Sequence, residues 1–148
     1  MVKEQLYRKC LDIINARIDR FKSELDMMKE SMEEDSGRGG DEESNGGVGV
    51  STDVYTKTIQ YLDEATAMKN MFKHVDIFQS NDTVKVGSVV ECSNGNFFLS
   101  VPLGKVDLDG KVYFAISKEA PVGQLLYGKK EGDSVSFNNN TFKILKIH

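Results

Sequence analysis

Residues 7–32 read "YRKCLDIINARIDRFKSELDMMKESM", and apolar side chains recur in them every three or four positions. The spacings alternate strictly between four and three, and the positions are Tyr7, Leu11, Ile14, Ile18, Phe21, Leu25, Met28 and Met32. This heptad repeat is typical of a helix that packs lengthwise against a partner helix. Neither glycine nor proline interrupts residues 2–35, so we predict one long helix over that range.

A second heptad repeat supplies the partner helix, predicted over residues 52–76. It has the same spacing, and its positions are Val54, Thr58, Tyr61, Ala65, Met68, Phe72 and Val75. Facing residues of an antiparallel pair have numbers with a constant sum, and the two repeats match when, for example, Phe21 lies opposite Ala65. We therefore predict an antiparallel coiled-coil hairpin as a first domain, residues 1–78.

The segment between the two repeats, residues 36–51, reads "SGRGGDEESNGGVGVS" and is acidic and rich in glycine. Such a composition cannot bury a core, so we predict a flexible loop at the tip of the hairpin. The pairing of the helices places Asp41, Glu42 and Glu43 near its apex. Two interpretations follow from the residues: a solvated linker, or a tip that presents carboxylates to a partner.

Residues 82–148 have a different pattern, with short runs rich in β-branched and aromatic residues. The runs are "TVKVGSVVEC", "NFFLSVPLG", "KVYFAIS", "DSVSF" and "TFKILKI", and "SNGN", "DLDG" and "NNN" between or beside them are turn signals. In "APVGQLLYG", Pro121 can begin a short helix and Gly128 can end it. We therefore predict a second domain, a small and mostly antiparallel sheet with one short helix, and an α+β fold class for the chain.

Charge and cysteine content limit the classes of function. The chain has 148 residues and a net charge of −4, which is too mild to indicate a partner by itself. No apolar run is long enough for a signal peptide or a membrane span, so we expect a cytoplasmic protein without a membrane partner. Cys10 and Cys92 are too few for a disulfide framework, and we expect both to be reduced, half-buried thiols.

The C-terminal stretch "ISKEAPVGQLLYGKKEGDSVSFNNNTFKILKI", residues 116–147, resembles the C-terminal signature of the bacterial Gre transcript-cleavage factors. The matching positions are Pro121, Leu125, Leu126, Gly128, Lys129, Gly132 and Asp133. Ala120 departs from the serine that is usual in the family. "VKVGSVV", residues 84–90, is similar to the family's first strand, and the order of the domains also agrees: a coiled coil first and an FKBP-like sheet second.

The resemblance implies a partner and a mode of action. Gre factors bind RNA polymerase with the globular domain at the rim of the secondary channel and place the hairpin in the channel. Acidic tip residues help hold the second catalytic Mg²⁺, and the polymerase then hydrolyses the backtracked RNA 3′ end. By this resemblance the chain is no enzyme by itself. It binds no cofactor alone, uses the Mg²⁺ of the polymerase, contacts the RNA 3′ end only indirectly, and is a monomer or a weak dimer.

The same resemblance assigns candidate residues. Asp41 and Glu43 are the catalytic candidates, and together with Glu42 they are the candidates for lying close to the shared Mg²⁺. The candidates for contact with the polymerase rim lie at the short helix and are Glu119, Ala120, Pro121 and Gln124.

The tip departs from the family, because Ser44 stands where a glutamate is usual and glycines follow it. Each glycine disfavours helix by about 1 kcal/mol relative to alanine. Two alternatives therefore stay open. The first is a Gre relative that occupies the channel and modulates or inhibits transcription without cleavage. The second is a coiled-coil dimerisation module unrelated to polymerase.

Overall fold

The computed structural model describes residues 2–37, 52–79 and 82–148. A long helix pair precedes a six-stranded mixed sheet, which confirms the predicted α+β fold class. The helices are α1 (Val2–Gly37), α2 (Thr52–Lys73) and α3 (Pro121–Leu126). The strands are β1 (Val89–Cys92), β2 (Gly95–Leu99), β3 (Gly104–Leu108), β4 (Lys111–Ile116), β5 (Ser134–Phe137) and β6 (Asn140–Ile147).

The chain divides into two compact units. One consists of Met1–Ile13 together with Asn70–His148, and the other is Ile14–Lys69. The predicted domain ranges, 1–78 and 82–148, follow the change of sequence pattern and stay a prediction. The units instead group the beginning of α1 and the end of α2 with the sheet.

In the unit Ile14–Lys69, the α1 side of the heptad repeat lies inward as predicted. Ile14, Ile18 and Leu25 are buried. On α2, Ala65 is buried, and so is Thr58, whose hydroxyl donates a hydrogen bond of 2.8 Å to the carbonyl of Val54. This bond within the helix satisfies a polar group that burial would otherwise leave without a partner.

Two α2 positions of the repeat differ from the prediction. Val54 and Tyr61 are 47% and 48% exposed, although the heptad pattern predicts both in the contact between the helices. The ring of Phe21 lies 5.8 Å from the ring of Tyr61, one turn before the predicted partner Ala65. A surface depression of about 350 Å³ lies beside Phe21, Tyr61 and Ala65, and its other lining residues are Ile14, Arg17, Arg20, Glu64 and Met68.

The sheet has the strand order β3-β4-β2-β1-β6-β5. β2 and β4 pair in parallel, and every other pair is antiparallel, so the predicted sheet is right in its main character. Two turn predictions are confirmed by left-handed backbone angles, at Asp109–Gly110 and at Asn138–Asn139. Positive φ at both central residues is what a tight two-residue hairpin turn requires.

Two of the predicted strand runs are shorter than their sequence pattern. In "TVKVGSVVEC" only Val89–Cys92 is strand, because Gly87 takes a φ of +100° and turns the chain before it. A Cβ at Gly87 would lie 2.1 Å from the carbonyl oxygen of Asp76, so no other residue fits there without a shift of backbone. "NFFLSVPLG" is divided between β2 and the start of β3.

Both faces of the sheet contribute buried side chains, because successive residues of a strand point to opposite faces. One face contributes to a core with α3, in which Val90, Leu99, Leu126 and Ile144 are buried. Phe98 points the other way and meets Phe72 of α2 edge to face, with ring centroids 6.1 Å apart. Phe72 in turn stacks on Tyr7 of α1, at 4.5 Å between centroids. The sheet is therefore packed on this side by the two helix ends that belong to its unit.

The cysteines are free and more buried than predicted. Burial raises the pKa of the Cys10 thiol to about 12 and that of Cys92 to about 11, since an apolar environment disfavours the thiolate. Among the described helices, none combines the length and the apolar character needed to cross a membrane.

Candidate functional site

The predicted tip residues Asp41, Glu42 and Glu43 lie outside the described residues. Within residues 2–37, 52–79 and 82–148, no group of three or more histidine, cysteine, aspartate or glutamate side chains is placed to hold a metal ion. The site that the structure describes is therefore the second predicted one, around α3.

α3 begins as its sequence predicts. Pro121 occupies the first turn, where a missing N–H has no cost, and Ala120 before it is extended with φ −62° and ψ 150°. The side chain of Ala120 cannot accept a hydrogen bond from a backbone N–H of the helix, as a serine hydroxyl there could. The backbone of Ala120 instead bonds to the preceding turn and to the helix. Its N–H donates to the carbonyl of Ser117 at 3.1 Å, and its carbonyl accepts from the N–H of Gln124 at 2.8 Å.

Gly123 sets the distance between α3 and the turn before it. A Cβ at this position would lie 2.1 Å from the carbonyl oxygen of Ser117 and 3.1 Å from the Cα of Lys118. Real Cβ atoms do not approach backbone that closely, so α3 can pack against residues 117–118 only because residue 123 is glycine.

The four predicted contact residues are brought together by this geometry. Glu119, Pro121 and Gln124 are exposed, and Ala120 is half-buried between them. The side-chain amide of Gln124 donates a hydrogen bond of 3.0 Å to the backbone carbonyl of Glu119. Sequence reasoning placed these residues on one short segment, and the structure places them on one side of one helical turn and the chain leading into it.

Two residues at this surface were missed by the sequence analysis. The ammonium of Lys118 lies 5.5 Å from the ring centroid of Tyr127, a cation–π contact, and Tyr127 is 49% exposed just after α3. The one available signal was an aromatic residue at the end of an apolar run, which equally predicts a core position. We define the α3 surface as Lys118, Glu119, Pro121, Gln124 and Tyr127.

A cavity of about 370 Å³ adjoins the α3 surface at Lys118 and Glu119. Its wall is largely apolar, and the other lining residues are Met71, His74, Val75, Val86, Ser100 and Val101. Met71 is 59% exposed at its edge. A depression with an apolar wall and a charged rim suits an apolar side chain of a partner that is itself polar around that anchor.

Three further residues of the C-terminal signature, Gly128, Gly132 and Asp133, shape the turns that follow α3. Gly128 and Gly132 take φ values of +81° and +91°, which favour glycine. A carboxylate oxygen of Asp133 accepts the N–H of Lys130 at 2.8 Å and closes the turn before β5. Of the matching positions, Pro121 therefore belongs to the α3 surface, whereas the two glycines and Asp133 act through the fold.

Two solved structures are similar to this chain. One is described as the crystal structure of GreA factor homolog 1 (Gfh1) of Thermus thermophilus, with 19% identity and a TM-score of 0.36 over 93% of this chain and 94% of that one. The other is described as the structure of the transcription factor Gfh1, with 18% identity and a TM-score of 0.36 over 95% and 94%. No protein-family model and no curated protein matches the chain. At this level of likeness, the function has to be argued from the residues of this chain.

Proposed function

We propose that the chain is a Gre-like transcription elongation factor that binds RNA polymerase at the rim of its secondary channel. The observation that carries the proposal is the signature in residues 116–147. Its glycines and Asp133 fit the turns that they form, and Glu119, Pro121 and Gln124 are exposed together. Exposed residues grouped on one surface by a rigid turn are candidates for binding a partner.

In the proposed action, two parts of the chain have different tasks. The α3 surface binds the polymerase rim, and the helix pair enters the channel. Asp41 and Glu43, with Glu42, then supply oxygen ligands to the second Mg²⁺ of the polymerase, which suits a hard cation that keeps several waters. The polymerase performs the hydrolysis, so the chain is an accessory factor rather than an enzyme, and it binds no cofactor alone.

The experiment measures RNA 3′-end cleavage by stalled, backtracked bacterial RNA polymerase in the presence of the factor. We expect stimulation by the wild type and at least a tenfold loss in the double variant Asp41→Ala, Glu43→Ala, because two carboxylates are removed from the proposed shared metal site. A matched control, Asp26→Ala with Glu30→Ala, removes two exposed acids from α1 and should retain stimulation.

Binding is measured separately, by the equilibrium affinity for polymerase. If the wild type binds polymerase but does not stimulate cleavage, the cleavage role is wrong and the alternative of a channel occupant that modulates or inhibits transcription replaces it. If the wild type does not bind polymerase, the whole proposal is overturned.

A second candidate function is a dimerisation module, and one observation favours it. Val54 and Tyr61 of α2 are about half exposed, and Ile59 is 37% exposed, so the described part of the helix pair leaves apolar area uncovered. Sedimentation equilibrium separates the candidates. A stable dimer that fails to bind polymerase supports the dimerisation module, whereas a monomer that binds polymerase excludes it.

A further inference from the structure

The side chain of Gln124 is engaged with its own chain. Its Nε2 donates to the carbonyl oxygen of Glu119 at 3.0 Å, while its backbone N–H donates to Ala120 at 2.8 Å. The two bonds join the first turn of α3 to two consecutive residues of the preceding turn. A side chain that is already used in this way has less freedom to bond a partner than the sequence suggests.

The turn at residues 117–120 is fixed from other sides as well. The N–H of Ala120 donates to Ser117 at 3.1 Å, and Gly123 allows backbone contact with Ser117. Lys118 lies against the ring of Tyr127. Since Lys118 and Gln124 already contact their own chain, less side-chain freedom remains to be lost on binding, and this lowers the entropic cost of binding.

We propose that Gln124 is a positioning residue, which holds the turn at residues 117–120 in the shape that binds polymerase, while Glu119 and Pro121 make the contact. This inference rests on the proposed function and assigns Gln124 a different task from direct contact. What matters is the hydrogen-bond donor at the end of its side chain, since the acceptor is a fixed backbone carbonyl.

Two variants separate the donor from the size of the side chain. Gln124→Met keeps the length and removes the donor, and we expect polymerase binding about threefold to tenfold weaker, as for one neutral hydrogen bond. Gln124→Lys keeps a donor of sufficient length and should bind within about twofold of the wild type. Gln5→Met, at an exposed glutamine of α1, is the matched control and should change nothing.

Hydrogen exchange on the free protein distinguishes the two roles of Gln124. If Gln124 only contacted the polymerase, its substitution would not change amide exchange rates in the absence of polymerase. In Gln124→Met the amide of Ala120 should exchange about tenfold faster, because its bond to Ser117 depends on the shape of the turn, whereas amides of β1 and β6 should not change. The lysine variant should restore slow exchange.

Three outcomes would overturn the inference. Weaker binding with unchanged exchange at Ala120 would mean that Gln124 contacts the polymerase directly. Unchanged binding with faster exchange would mean that the shape of the turn does not matter for binding. A large fall in Tm in Gln124→Met, with faster exchange throughout the sheet, would mean a general role in folding. If instead the wild type fails to bind polymerase, it is the proposed function that falls, and with it the part of this inference that concerns binding.

Discussion

Gly123 is a buried position of α3 with almost no room for a side chain. Replacing it with alanine has two opposed effects. Alanine favours helix by about 1 kcal/mol, but its Cβ would lie 2.1 Å from the carbonyl oxygen of Ser117, and relief of such overpacking typically costs about 1–3 kcal/mol. Because the obstructing atom is backbone, we expect the clash to outweigh the gain in helix propensity. Gly123→Ala should lower the free energy of unfolding by about 1–2 kcal/mol, measured as a lower midpoint in urea.

Gly95→Ala is the control for this prediction. A Cβ at Gly95 meets the Phe97 ring at an ordinary 3.7 Å, and the backbone there is not left-handed. We expect the free energy of unfolding to rise by about 0.4–1 kcal/mol, because alanine fits this backbone and lowers the entropy of the unfolded chain. Equal stability of Gly123→Ala and wild type would contradict the close approach of α3 to Ser117.

Single residues differ in how far the sequence predicts them. Pro121 and Gly128 were assigned correctly, because helix starts and ends have local rules. Gly123 carried no such signal, since its constraint comes from a carbonyl brought close by the fold. The exposure of Tyr127 could not be predicted for a similar reason: an aromatic residue beside two leucines is usually core.

At the scale of elements, the β5–β6 hairpin depends on its turn. Asn138 and Asn139 have φ values of 50° and 65°, which asparagine tolerates and β-branched residues do not. Asn138→Val should therefore lower the free energy of unfolding by about 1–2 kcal/mol, while Asn139→Gly should raise it by a few tenths to 1 kcal/mol. Thermal unfolding followed by circular dichroism measures both changes in stability. The decisive result is that Asn138→Val destabilises the protein while Asn139→Gly stabilises it. A loss of stability in both variants would contradict the turn.

Elements with local signals were predicted well, and their long-range pairing was not. α1 and α2 were expected over 2–35 and 52–76 and span Val2–Gly37 and Thr52–Lys73. α2 ends earlier because Asp76 begins a different turn, in which its carboxylate accepts the N–H of Phe78 at 2.9 Å. The parallel pairing of β2 with β4 joins strands that are not consecutive, and no residue pattern within either strand specifies it.

At the scale of the whole molecule, the sheet depends on helices from the other end of the sequence. The ring of Phe98 is fully buried against Phe72, and Leu6 of α1 is fully buried in the same unit. A fragment of residues 82–148 lacks both helices and exposes Phe98, whose burial is worth about 1.5–3 kcal/mol. We expect this fragment to bind the dye ANS and to lose dispersed amide resonances, whereas the full chain does neither.

A fragment with native dispersion and no dye binding would contradict this dependence and would support the boundary predicted from the sequence pattern. That boundary was placed where apolar periodicity changes from helix to strand. Periodicity reports which face of an element is apolar and not what covers it. Hence the ends of α1 and α2 looked in sequence like the rest of the coiled coil, although they pack with the sheet.

The strand order also has a kinetic consequence. β1–β2, β3–β4 and β5–β6 are each joined by a tight turn, so each can form within microseconds from neighbouring residues. The pairing of Val90 with Ile147 closes a loop that contains nearly the whole sheet. The chain in this loop must lose conformational entropy before the contact can stabilise the sheet. We therefore expect the docking of β6 onto β1 to limit the folding rate of the sheet. During synthesis, the β1 edge stays unsatisfied until the last residues of β6 are available.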